Sequence, residues 1–245
     1  MFKKTIIMVG VLLWSGMAFA AHPLITDDTG TQGKGKFQLE VNGEYLNDNG
    51  NSATEITPSF SAGMTDDLDL VVGLPYQFLS TKDEDGNRTT ENGISDASIE
   101  LKWRLYEKEG LSFALKPGVT FPTGNDEKGL GDGKSGYSLF YITTKEMEPF
   151  NLHLNLGCIK NTTGLRDTWH YSLAFEYKPV KDLRIVANIG GETNPDRESN
   201  VHPLFLLGGF IYSLTEKFDA DLGVKTGLSK EEADYTRLAG LTYRF

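Results

Sequence analysis

Residues 169–178 read Trp169-His170-Tyr171-Ser172-Leu173-Ala174-Phe175-Glu176-Tyr177-Lys178. The odd positions carry aromatic rings or leucine. The even positions are polar or charged except for one alanine. A period of two is the mark of a β-strand with one oily face and one wet face. The run is also long. A tilted strand needs about 9–11 residues to cross a bilayer core, whereas a strand in a soluble sandwich is nearer 5–6. Large rings at both ends of the oily face suit the two lipid–water interfaces.

The same pattern repeats on either side. Upstream it appears as Phe37, Leu39, Val41 and Tyr45 against Gln38, Glu40, Asn42 and Glu44. It returns at Ile56 to Met64, Leu68 to Phe78, Ala97 to Leu105, Leu111 to Phe121 and Phe150 to Cys158. Downstream it recurs at Leu183 to Ile189, Phe218 to Thr226 and Tyr235 to Phe245. Two runs are irregular. Residues 137–144 are mixed on both faces, and residues 203–212 are apolar on both. Together these predict about twelve strands.

The connections alternate as well. Those at 65–67, 106–110, 145–149, 179–182 and 213–217 are short. Those at 46–52, 79–95, 122–135, 160–168, 193–201 and 229–234 are mostly longer and richer in Gly, Asn and Asp. Tight turns on one rim and longer polar loops on the other describe an all-β, transmembrane, antiparallel up-and-down β-barrel of the bacterial outer membrane. An even strand count puts both termini on the short-turn side, which is the periplasmic side. A soluble sandwich or lipocalin-like barrel is the competing architecture. It fits less well, because an eight-stranded soluble barrel leaves strands over. Lipid offers backbone groups no hydrogen bonds, so a sheet there must close on itself.

Composition limits the rest. Of the 245 residues, 39% are apolar and 24% are charged, too oily for a disordered chain. The net charge of −10 argues against a nucleic-acid partner. A single cysteine forms no internal disulfide and no thiolate zinc site. Lys3 and Lys4, the apolar run Thr5 to Met17 and the triplet Ala18-Phe19-Ala20 spell a secretory signal, with cleavage expected after Ala20. Residues 1–20 are therefore read as a signal peptide, 21–35 as a periplasmic or plug segment and 36–245 as the barrel. The last strand ends on Phe245, with Tyr243 and Leu241 on the same face. That ending is similar to the signal by which barrel-assembly machinery recognises its clients. Outer-membrane lipid, lipopolysaccharide and a small-molecule solute complete the expected partners.

The opening stretch His22-Pro23-Leu24-Ile25-Thr26-Asp27-Asp28-Thr29-Gly30-Thr31-Gln32-Gly33-Lys34-Gly35, followed by Phe37-Gln38-Leu39-Glu40, resembles a family of outer-membrane transporters named for the "MetA pathway of phenol degradation". The stretch Gly118-Val119-Thr120-Phe121-Pro122-Thr123-Gly124 fits the same family. The likeness implies an outer-membrane barrel and, through the family name, passage of aromatic compounds. It implies no catalytic residues. Residues 22–35 are expected to tuck into the barrel as a small plug or to lie at the rim.

With strands about 4.8 Å apart and tilted about 40°, twelve of them enclose a backbone diameter of roughly 24 Å. The inward set is charged and mixed, and it suits either a selectivity lining or a ladder of ion pairs holding the barrel closed. Candidate pore-lining residues are Arg104, Lys116, Arg184, Phe205 and Leu207. The last two come from the doubly apolar run, where Phe205, Leu207 and Ile211 share one face and Leu204, Leu206 and Phe210 the other. One set must point inward, to contact an apolar solute or to pack inside.

Other signals are discounted. Gly131-Asp132-Gly133-Lys134-Ser135-Gly136 spells G-x-G-x-x-G, but the motif needs a strand before it and a helix after it. Asp83, Asp85 and Asn87 suggest a calcium loop whose twelfth position is Ile94. His153, His170 and His202 read as ordinary lining residues, and Cys158 as packing on the oily face. The sequence calls for no cofactor or metal. The leading function is passive passage of small solutes, aromatic or hydrophobic ones among them, without enzymatic activity. The alternatives are a lipid-cleaving barrel enzyme and a structural or adhesion barrel with a filled lumen.

Overall fold

The computed structural model describes residues 22–245 apart from Glu84 and Thr163. The signal-peptide reading of residues 1–20 lies outside the described residues. The strands are β1 (Phe37–Asp48), β2 (Asn51–Gly63), β3 (Leu68–Gly73), β4 (Tyr76–Lys82), β5 (Arg88–Ile94), β6 (Ala97–Lys108) and β7 (Leu111–Phe121). They continue as β8 (Gly136–Met147), β9 (Phe150–Lys160), β10 (Thr168–Val180), β11 (Leu183–Glu192), β12 (Leu204–Thr215), β13 (Phe218–Gly227) and β14 (Tyr235–Arg244). Every pairing is antiparallel. β14 returns to β1 in unbroken register from Gln38↔Arg244 to Asn47↔Tyr235, so the sheet closes.

The fourteen segments make twelve spans. β3 and β4 follow one another along the same partner, β2, and β6 and β5 pair with them in turn. Pro75 has no N–H to donate, so the ladder breaks between β3 and β4. The gap is bridged by Leu74 N donating to Pro58 O at 3.0 Å and Ser95 N donating to Pro75 O at 2.9 Å. The expected twelve-strand count therefore holds.

Two loop expectations change. Residues 79–95 are mostly wall: β4 and β5 pair from Tyr76↔Ile94 out to Lys82↔Arg88. Arg88-Thr89-Thr90-Glu91-Asn92 show no oily face and are largely exposed. A hairpin wet on both sides carries no alternation to read. Residues 46–52 hold only the two-residue turn Asn49-Gly50, with φ of 49° and 82°. That positive-φ pair, repeated at Glu109-Gly110, matches the twist of the flanking strands.

Between its rims the outer wall is predominantly oily. Leu173 lies between Leu154 and Ile189 on neighbouring strands, and all three are exposed. So much contiguous apolar surface is incompatible with water and suited to hydrocarbon. Rings gather at both rims. Phe150 stacks on Phe175 at 5.4 Å and on Tyr177 at 5.1 Å, and Tyr243 meets Phe245 at 4.9 Å, all by the chain termini. Tyr45 and Tyr235 lie 6.4 Å apart at the loop rim.

The two irregular runs resolve. In β8, Tyr137, Leu139 and Tyr141 face out while Phe140 and Ile142 face in. In β12, Leu206 and Phe210 face out while Phe205, Leu207 and Ile211 face in. The inward residues of β8 pack on Ala114 and Ile159 of the neighbouring wall, whereas β12 is apolar on both faces because something apolar lies inside.

Candidate functional site: a chain segment across the lumen

That something is the chain's own N-terminal segment. Leu24 and Ile25 are buried in one cluster with Phe205, Leu207, Ile211, Ala174, Val186 and Leu238. The segment, residues 22–35, forms a strap across the interior. It is held by side chains of the wall and not by a ladder, so its backbone groups must be met one at a time. Asn188 does this for the first stretch. Its Oδ1 accepts from Ile25 N at 2.8 Å and Thr26 N at 3.0 Å, and its Nδ2 donates to Thr26 Oγ1 at 2.7 Å. Asn155 does it for Asp27, accepting from Asp27 N at 2.7 Å and donating to Asp27 O at 2.8 Å. Further on, Thr29 N donates to Thr144 Oγ1 at 3.1 Å and Gln32 N to Asp69 Oδ2 at 2.9 Å.

The charged anchor is Asp27. Its Oδ1 lies 2.9 Å from Lys102 Nζ and its Oδ2 2.8 Å from Lys116 Nζ. Lys102 also meets Asp28 at 3.2 Å, and Lys116 meets Glu100 at 3.6 Å. The Asp27 and Lys116 side chains are each only 1% exposed. Breaking a buried pair by removing one partner costs about 3–5 kcal/mol, because the other charge is left uncompensated.

At its start the strap rests on a glycine floor. A Cβ at Gly223 would stand 2.7 Å from Pro23, and one at Gly209 2.8 Å from it. A Cβ at Gly240 would stand 2.6 Å from His22 Nδ1, which pairs with Asp221 at 2.5 Å. Gly223→Val is expected to unseat this end of the strap. Overpacking costs about 1–3 kcal/mol, so amide exchange at Ile25 and Thr26 should quicken by roughly ten- to a hundredfold in the folded barrel. Unchanged protection would show that the floor does not hold the strap.

Below the strap, toward the terminal rim, opens a vestibule of about 500 Å³. Asp28, Lys102, Lys116, Arg184, Asp219 and Arg244 are among its lining. Above the strap the loops turn inward. Leu130 and Ala233 pack on Leu46, Ala53 and Leu79 as an apolar lid. Asp96 pins that lid, accepting from Gly124 N and Asp132 N at 2.8 Å each. Gly131, the first glycine of the G-x-G-x-x-G string, passes so close that a Cβ there would lie 2.3 Å from Asp96 Oδ1. Burial, with Asp96 beside it, pushes the Asp132 carboxyl up to about 6. A raised folded pKa means the folded form holds its proton longer, so the loop loses stability as the pH rises from about 4 through 6. Wild-type stability in urea is expected to fall relative to Asp132→Asn over that window. Parallel curves for the two would contradict it.

The predicted lining residues divide. Lys116, Phe205 and Leu207 converge on the strap, and Arg184 lines the vestibule, 3.2 Å from Asp219 and 3.6 Å from Glu176. Arg104 stays at the terminal rim, holding Asp67 at 2.8 Å and Glu107 at 2.9 Å. Sequence reasoning missed Asp27, Asn155 and Asn188 as site residues. The signal available was two asparagines at inward strand positions, uncharged and short. His170 also faces the lumen, 2.9 Å from both Ser172 and Glu192, while Trp169 and Tyr171 face outward beside it. Among the described residues no cluster of three or more His, Cys, Asp or Glu stands ready to hold a metal.

A closed sheet of twelve spans, oily outside and charged within, defines a bacterial outer-membrane β-barrel. Solved structures share the architecture. A KdgM porin aligns over 85% of this chain and 99% of its own, with a TM-score of 0.60 and 9% identity. A NanC porin aligns over 84% and 98%, at 0.60 and 11%. A CymD monoaromatic hydrocarbon channel aligns over 87% and 89%, at 0.51 and 12%. No functionally curated protein matches by sequence. The chain belongs to the family described as "Putative MetA-pathway of phenol degradation", whose pattern matches residues 20–245.

Proposed function

We propose that the barrel is a passive channel for small solutes, aromatic or hydrophobic ones among them, with the strap as its internal obstruction. The observation that carries this reading is the manner in which the lumen is filled. A separate segment occupies it, held by side-chain hydrogen bonds and ion pairs, beneath an apolar lid and above an open vestibule. Shifting that segment clears the middle of the lumen without disturbing any wall pairing, and the lid above it is made of loop residues. The apolar lid and the Phe205–Leu207–Ile211 strip offer greasy contacts along the way. The phenol-degradation family and the likeness to the CymD monoaromatic hydrocarbon channel support aromatic solutes.

In this reading residues 1–20 are a cleaved export signal, residues 21–35 the plug and 36–245 the wall. The rim bearing both ends faces the periplasm, Phe245 serves barrel assembly, and the loop rim meets lipopolysaccharide. Reconstituted liposomes test the proposal. Uptake of labelled phenol or toluene and ion conductance in planar bilayers should both exceed protein-free controls. Silence in both, for wild type and strap-loosened variants alike, favours a purely structural barrel. The lipid-hydrolase reading has one supporting contact set, the Ser172–His170–Glu192 chain. That chain lies inside the wall and away from lipid. Phospholipid cleavage abolished by His170→Ala would revive it.

A further inference from the structure

We infer that the strap occupies a binding site for a small organic acid, an apolar body bearing one carboxylate, and that such a solute competes with the strap for the lumen. The inference rests on the channel reading and names its solute class.

The site is visible through what fills it. Asp27 places one carboxylate between two buried ammonium groups, at 2.9 Å from Lys102 and 2.8 Å from Lys116. Leu24 and Ile25, three and two residues earlier, place an apolar body on Phe205, Leu207 and Ile211. The Phe140 ring, 5.9 Å from Lys116 Nζ, adds an aromatic surface beside the ammonium. The vestibule reaches this point, since Asp27, Lys102 and Lys116 all border it.

Charge decides the class. Lys102 forms ion pairs with two strap residues, Asp27 and Asp28. Lys116 keeps Glu100 on the wall at 3.6 Å but loses Asp27 when the strap leaves. Asp69 stands across the strand pair from Lys102, with one oxygen taken by the Gln32 N–H. A neutral occupant would leave the Lys102 and Lys116 ammonium groups short of the carboxylate they now share, with Glu100 and Asp69 still beside them, and losing one partner of a buried ion pair is costly. An occupant that displaces the strap at least cost brings its own carboxylate. Neutral phenols and hydrocarbons are poorer competitors on this ground.

Calorimetric titration of the purified full-length barrel in detergent tests the inference, with benzoate, benzamide and acetate as probes. Benzamide keeps the ring without the charge, and acetate keeps the charge without the ring. Benzoate is expected to bind about tenfold more tightly than either, each missing half removing an interaction of roughly that size. Asn155→Ala frees the strap backbone and leaves every charge in place. It should tighten benzoate binding by about tenfold, since it weakens the internal competitor by about one hydrogen-bond pair. Lys102→Met should abolish the preference for benzoate over benzamide.

Equal affinity for benzoate and benzamide overturns the inference. So does weaker benzoate binding in Asn155→Ala, which is what a mere lining residue would give. Each variant is first checked for the fast gel mobility of an unheated, folded barrel. Should Lys102→Met fail to fold, the Asn155→Ala comparison decides. Conductance of the same samples separates the two readings. A barrel that conducts but binds benzoate and benzamide alike loses only the organic-acid site. A barrel that binds benzoate selectively but passes neither ions nor solute retains the site and loses the channel.

Discussion

Asp27→Ala is expected to open the barrel. The substitution removes the carboxylate shared by Lys102 and Lys116 and leaves the Asn155 and Asn188 contacts to the strap backbone. With the strap in place, Lys102 and Lys116 would face a methyl group where the shared carboxylate stood, with Asp28 and Glu100 still beside them. With the strap displaced, both lysines are hydrated from the vestibule. The balance shifts toward the displaced state by about 3 kcal/mol, which raises the open fraction roughly a hundredfold. Planar-bilayer recording reads this directly as long openings where the wild type shows rare ones. Asn188→Ala removes uncharged contacts only and should raise the open fraction less, by about tenfold. A folded Asp27→Ala barrel with wild-type current would show that the strap is not held by charge.

The second large effect belongs to the outer face. Leu173 sits near the middle of β10 between the exposed Leu154 and Ile189. An arginine there faces hydrocarbon. Leu173→Arg should lower the stability of the membrane-inserted barrel by about 2–4 kcal/mol in urea titrations from lipid vesicles. Val180, the last residue of the same strand at its terminal-rim end, is 61% exposed. Val180→Arg should cost only about 0–1 kcal/mol. The contrast matters more than either value, because it measures depth. Equal costs would mean that the oily face of β10 does not meet lipid.

Both effects show which parts of the molecule its sequence announces. Trp169 to Lys178 is legible because its two faces meet two different solvents, lipid and a polar lumen, and the alternation records both. Arg88 to Asn92 is silent because water lies on both sides of that hairpin. Residues 137–144 and 203–212 are ambiguous for the opposite reason. Phe140, Phe205 and Leu207 turn inward to dry surroundings, two of them onto Leu24 and Ile25, so strand and strap together explain what neither shows alone. Pro75 is plain in the sequence, yet the strand break it causes is offset by the continued pairing of β4 and β5. The site itself was half legible. Inward charge at Lys116 and Arg184 follows from alternation. The pairing of Asp27 with Lys102 and Lys116 does not, since it joins an aperiodic segment to strands 75 and 89 residues away.

The seam between β1 and β14 joins Gln38 to Arg244, nearly the two ends of the wall. The strap precedes β1 directly and enters the lumen from the terminal rim. The terminal rim is also where the vestibule opens, so residues 22–35 can seat in the lumen after the seam has closed, with every wall pairing intact. Closing the wall and filling it are therefore separable events, the first set by strand pairing and the second by Asn155, Asn188, Lys102 and Lys116.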